Sequence, residues 1–217
     1  MKTLHLFQIS VIGLLTLLVV SCGNDSSSVC SIHGTMEDHT RDGKKIFLVP
    51  MYRPDSVGVD STIIQNGCFE FKTSKQMMAI IRVDLRSRYG TQDLLVVTEP
   101  GNLDVKIGSI SSGQGTRQND SLQMWKERTE SYRVQYIPLM QNIRQLLSQN
   151  DSVNAVAFKK QADSIHLAYK NYTRNLADNL KEGALHDFLK KMFPKTYLRK
   201  LPDGTTVTED ADKPLPL

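Results

Sequence analysis

The 217-residue chain has only three cysteines and one tryptophan, and aromatic residues make up 7% of it. There is no C-x-x-C pair and no cysteine or histidine pairing at metal-ligand spacing, which argues against a thioredoxin-type redox centre and a zinc site. No glycine-rich phosphate loop appears, and no nucleophile stands beside a base at a motif's spacing. No apolar run reaches the ~20 residues of a membrane-spanning helix. The charge balance, 27 basic against 23 acidic residues for a net +4, is too small for a nucleic-acid footprint. The length is also short of the ~250 residues of a barrel enzyme. These absences leave one or two small domains, with no cofactor and no metal expected.

What is present begins with a leader. Lys2 precedes a mainly apolar stretch from Leu6 to Val20, the pattern of a secretory signal. Leu18-Val19-Val20-Ser21-Cys22 resembles the bacterial lipobox, which implies cleavage after residue 21, acylation of Cys22 and a polar tether over residues 22–28. Gly23 after the cysteine implies outer-membrane sorting. Two or more acyl chains give stable anchoring without a span. On this reading the mature chain keeps Cys30 and Cys68, which form one structural disulfide in an oxidising compartment or remain two buried thiols.

Residues 29–115 break into short β-prone runs: 29–35, 44–49, 57–64, 68–73, 78–85, 93–98 and 103–107. Asn66-Gly67 between two such runs is a hairpin signal, because both central positions of a type I′ turn need positive φ. The expected fold is α+β: an N-terminal antiparallel β-sandwich or partly open barrel, then a C-terminal antiparallel helical hairpin. His33, Glu37, Asp38 and His39 sit where a strand runs into a turn, so their polarity needs no metal.

The ordered series Asp42-Gly-Lys-Lys-Ile-Phe-Leu48, Asp60-Ser61, Ile64-Gln-Asn-Gly-Cys-Phe-Glu-Phe71, Glu99-Pro-Gly-Asn-Leu-Asp-Val105 and Gly115-Thr-Arg-Gln-Asn119 resembles a domain of unknown function of Bacteroidota lipoproteins. That domain typically stands before a thioredoxin-like, AhpC/TSA-type oxidoreductase domain. No W-C-x-x-C follows in this sequence, so the resemblance carries over no catalytic residue. It implies a non-catalytic, lipid-anchored envelope module, or alternatively an accessory subunit of a separate periplasmic thiol oxidoreductase.

Residues 116–193 change period. Leu122, Trp125, Thr129, Tyr132, Tyr136, Leu139, Ile143 and Leu146 mark one helix face, which Pro138 is expected to kink or split. Asp120 with Gln123 suggests a capping box. Phe158, Ala162, Ile165, Tyr169, Tyr172, Leu176 and Leu180 mark a second face closed by Gly183, and Leu185, Phe188, Leu189 and Met192 a short third helix. Trp125, Tyr132 and Tyr136 are either core or a stacking platform for a peptide or glycan. The helix charges, Lys126, Lys159, Lys160 and Lys170 among them, read as a solvated face. Residues 194–217 contain a Pro202-Asp203-Gly204 turn between β-prone arms, with disorder expected from Thr208. Ser56, Ser61, Ser121, Ser152 and Ser164 each follow an aspartate and precede an apolar or threonine residue, resembling periplasmic O-glycosylation acceptors.

Overall fold

The computed structural model describes residues 28–52, 59–83 and 93–213. The segment expected to be a leader, with Cys22, and Ser56 and residues 214–217 lie outside the described residues. The protein is α+β, in three layers. The strands are β1 (Cys30–Met36), β2 (Lys45–Pro50), β3 (Asp60–Ile63), β4 (Cys68–Thr73), β5 (Met77–Arg82), β6 (Leu94–Thr98), β7 (Gly101–Ile107) and β8 (Ser112–Gln114). They form two open four-stranded sheets, ordered β4-β1-β7-β8 and β3-β2-β5-β6.

Their inner faces meet in one core that includes Ile32, Ile46, Leu48, Ile81, Leu94, Val96, Leu103 and Ile107. Gly34 belongs to this core because the Phe69 ring fills its side-chain space: a Cβ there would lie 2.0 Å from the ring. The Asn66-Gly67 hairpin forms as expected, with φ of 51° and 70° and reciprocal Gln65–Cys68 backbone bonds of 2.8 and 2.9 Å. Asp42 Oδ1 accepts from the Gly67 amide at 2.8 Å, which ties two turns together. One ladder departs from the antiparallel pattern: β1 runs parallel to β7, from Cys30 opposite Gly101 to Met36 opposite Ile107.

The helices are α1 (Arg117–Ser148), α2 (Ser152–Leu180) and α3 (Ala184–Met192). They cover the outer face of the second sheet. Met78 and Val97 on that face pack with Leu122, Trp125, Leu180, Leu185, Phe188 and Leu189. The second sheet is therefore buried on both sides, which explains why β5 and β6 read as unbroken apolar runs.

Several local expectations are corrected. Helix α1 runs through Pro138 without splitting; Pro138 and Val134, whose carbonyl loses its partner, are on the exposed side, where water can solvate it. Thr116 is the N-cap of α1, and Asp120 reaches back to the Gly115 amide at 2.8 Å. Lys181, with φ of 69°, ends α2, and Gly183 begins α3. Beyond α3, β9 (Thr196–Lys200) and β10 (Thr206–Asp210) pair as a hairpin. The disorder expected from Thr208 is thus overturned for residues 208–213. Among the described residues no helix is long and apolar enough to cross a membrane.

Candidate functional site

The family-like motif residues assemble into a joint between sheet and helices. Asn119, in the first turn of α1, accepts from the Val97 amide (2.8 Å) and donates to the Val97 carbonyl (2.7 Å) and to Thr116 Oγ1 (2.7 Å). Two helical turns on, Lys126 Nζ donates to the Leu95 carbonyl at 2.7 Å. These side chains occupy polar groups on the free edge of β6, an edge that would otherwise invite pairing with another strand. Glu99 accepts from the amide and side chain of Gln118 at 2.6 and 2.8 Å, and Gln118 in turn accepts from the Leu185 amide at 2.9 Å. Gly115, at φ of 113°, brings its α-carbon so close to β7 that a Cβ would lie 2.7 Å from the Asn102 carbonyl oxygen. The motif residues Glu99, Gly115, Thr116 and Asn119 are thus taken up by the architecture.

Burial under the strand edge pulls the Lys126 ammonium down to about 8. The unfolded chain then binds the extra proton between pH 8 and the ordinary value of 10.5, so this group makes stability rise with pH over that window. Burial raises the Cys30 thiol and the Tyr132 phenol, whose contributions have the opposite sign and fall away above about pH 9 and 10. The expected result is a stability difference between wild type and Lys126→Met that grows from pH 8 to 10. Guanidinium titrations at unit pH steps measure it; a constant difference would contradict the assignment.

The two cysteines are not bonded. Cys30 is buried in the core and Cys68 is exposed, so the two-buried-thiols alternative fails for Cys68 as well. In the β1–β4 register Cys30 faces Thr73 and Cys68 faces Thr35. Five residues along a strand separate them by about 16 Å, whereas a disulfide needs Cα atoms within about 7 Å.

The proposed stacking platform is also redistributed. Trp125 lies in the core, edge-on to Phe188 at 5.6 Å, with its indole donating to Thr173 Oγ1 at 3.2 Å. Tyr132 stacks on Tyr169 at 4.4 Å and on Tyr136 at 4.9 Å, and its hydroxyl lies 2.8 Å from His166 Nδ1. Those rings hold α1 to α2, and Tyr136 also lines a groove described below. Of the serines expected as acceptors that are described, Ser61 lies on exposed β3 and Ser121 bonds the Arg117 carbonyl of its own helix. Ser152 opens α2 behind its cap Asp151, and Ser164 is exposed at mid-helix. His33 lies 3.5 Å from Glu70 on the neighbouring strand, while the His39 ring packs over Gly67. Among the described residues no group of three His, Cys, Asp or Glu side chains is placed to hold a metal.

A candidate binding cavity lies elsewhere. A groove of about 870 Å³ runs along the distal half of the α1–α2 hairpin and ends at the chain around Phe193, Pro194, Tyr197 and Asp212. Its α1 wall is apolar, built from Tyr136, Met140, Ile143 and Leu147, with Arg144 among them. Its α2 wall is largely polar: Lys159, Lys160, Asp163, Ser164 and Lys170, with Leu167. Sequence patterning pointed away from this site because it read Lys170 as solvated. Lys170 and the unremarked Arg174 are in fact 7% and 6% exposed. Both are held by Asp212, Lys170 Nζ at 2.8 Å from Oδ1 and Arg174 at 2.6 Å from Oδ2. Arg174 also donates to the Phe193 and Pro194 carbonyls at 2.9 and 2.8 Å, and Lys170 to that of Ala211. These bonds dock the β9–β10 hairpin and so build the end of the groove.

Residues 30–122 match the family described as Domain of unknown function (DUF4369). The matched region therefore covers both β-layers and ends six residues into α1, just past the Asn119 clamp. No curated protein and no solved structure matches the chain.

Proposed function

We propose that this chain is a non-catalytic binding module of the cell envelope, attached to the outer membrane through an acylated Cys22, and that the α1–α2 groove is its binding site. The groove carries the reading: it is large, open and apolar on one wall, and its size lies within the range of small-molecule and peptide sites. The leader pattern ending in Leu18-Val19-Val20-Ser21-Cys22 supports the anchor. The family-motif side chains are occupied in holding β6 and α1 together, which favours binding over chemistry in that domain.

Two measurements test the proposal. Metabolic labelling with an alkynyl fatty acid is expected to mark the wild-type chain and to lose the mark in Cys22→Ser; a retained mark would remove the anchor. Nile red, a neutral apolar dye, is expected to brighten with the full chain. Leu167→Asp, on a 39% exposed side chain lining the groove, is expected to reduce that signal several-fold while thermal unfolding stays unchanged. Equal signals would show that the groove is not an open apolar site.

A further inference from the structure

The groove has two parallel walls of helical spacing. Tyr136, Met140, Ile143 and Leu147 recur at fours and threes along α1, as do Lys159, Asp163, Leu167 and Lys170 along α2. Each wall spans twelve residues, eleven steps of 1.5 Å or about 16 Å. Below it, the two helices share a small core of Leu139, Ile143 and Ala162, with Tyr136, Met140, Phe158 and Ile165 packed against it. Among the described residues, none of the helices takes the position that a third helix occupies in a bundle along this length.

The charges around the groove are unequal. Asp163 is paired with Lys159 at 2.5 Å, and Asp212 with Lys170 and Arg174. Arg144, Lys160 and Lys213 also line the groove, are exposed, and make no ion pair among the described residues. Arg144 and Lys160 stand toward the distal end of the hairpin. Lys213 follows Asp212, which is bonded to Lys170 at the other end. The ten-residue rise from Lys160 to Lys170 sets the two ends of the α2 wall about 15 Å apart. An occupant with one anionic head and a hydrocarbon tail answers only one end of that pattern.

We propose that the groove receives an acidic amphipathic helix from a partner protein, about three turns long, with an apolar stripe on the α1 wall and carboxylates at both ends facing Arg144 and Lys160, and Lys213. This rests on the reading of the groove as the binding site. The mode is that of a helix laid into a groove, where apolar anchors supply affinity and flanking charges supply orientation and partner choice.

The test uses the full-length Cys22→Ser chain and two fluorescein-labelled 14-residue helical peptides sharing one leucine stripe, with glutamates flanking it at both ends in the first and lysines in the second. Fluorescence anisotropy is expected to show the glutamate peptide binding at least about tenfold more tightly than the lysine peptide. In Arg144→Glu/Lys160→Glu, two exposed sites, the order is expected to reverse, and gain of lysine-peptide binding shows that the variant is folded. Equal affinity for the two peptides, or no reversal in the double variant, would overturn the proposal. So would failure of both peptides combined with charge-dependent binding to phosphatidylglycerol vesicles. If the peptides fail while Nile red still binds and responds to Leu167→Asp, only the partner class is wrong; if Nile red also fails, the groove reading falls with it.

Discussion

Asn119→Leu is expected to destabilise the protein by about 3 kcal/mol, because it leaves a buried amide and a buried carbonyl of Val97 unpaired at about 1–3 kcal/mol each. Leucine keeps the branched outline of asparagine and leaves no cavity, so the loss is traced to the hydrogen bonds that it cannot make. Asn119 is 2% exposed and its three bonds lie at 2.7 to 2.8 Å. With typical domain stabilities of about 5–15 kcal/mol, this is a large fraction of the whole. Chemical denaturation measures it. A second sign is expected in hydrogen exchange: the Val97 amide should lose protection before its neighbours across the sheet. A loss below about 0.5 kcal/mol would mean that the edge of β6 does not depend on the clamp.

Asp212→Ala is expected to cost about 3 kcal/mol, since removing one partner of a buried ionic network leaves charge uncompensated. Here a single carboxylate serves two buried cations. The hairpin it holds is two-stranded, with every residue of β9 exposed, and a lone hairpin is marginal in water. Limited proteolysis should therefore cut residues 196–213 much faster in the variant, even under conditions where the β-layers stay folded. Hydrogen bonds from Arg174 and then Lys170 hold the Asp212 carboxyl at about 2, below its ordinary 3.8. The stabilisation is thus complete above about pH 4 and is lost as pH falls toward 2. Acidification of the wild type should reproduce the variant's cleavage pattern. An unchanged pattern in Asp212→Ala would show that the hairpin is held by other contacts.

The layers were legible in the sequence where periodicity and turn chemistry agree. Phe69 and Phe71 alternate with Glu70 and Lys72 because β4 has one wet face. The unbroken Met77–Ile81 and Leu94–Val97 runs reflect a sheet covered on both sides. Asn66-Gly67 fixed its hairpin through backbone conformation alone. Strand β8, Ser-Gly-Gln, escaped because nothing in three small polar residues marks a strand; it pairs because β7 lies beside it. The parallel β1–β7 ladder escaped for a related reason, since pairing between distant segments has no local signature.

The groove was the least legible part. Its apolar wall takes Tyr136 and Ile143 from the face that periodicity marks as core and adds Met140 and Leu147 beside them, so a one-face reading assigns it to the seam between helices and shows no cavity. Lys170 and Arg174 look like ordinary helix charges until Asp212, some forty residues away, is brought against them. Tyr132 and Trp125 offered the opposite illusion: aromatic spacing fits a ligand platform and a helix seam equally well, and packing decided for the seam.

The parallel pairing of β1 with β7 bears on the order in which the molecule can be assembled. β1 is the first of the described strands, yet it sits inside its sheet, with β4 on one side and β7 on the other. Its second partner begins only at Gly101, 71 residues after Cys30. A chain delivered amino end first must therefore hold its leading strand half-paired until residue 107 has emerged. Separations of this size slow folding toward the millisecond-to-second range, against microseconds for local helical contacts. The α1–α2 hairpin, whose contacts are close in sequence, can form quickly but has its sheet to dock on only after that slow step.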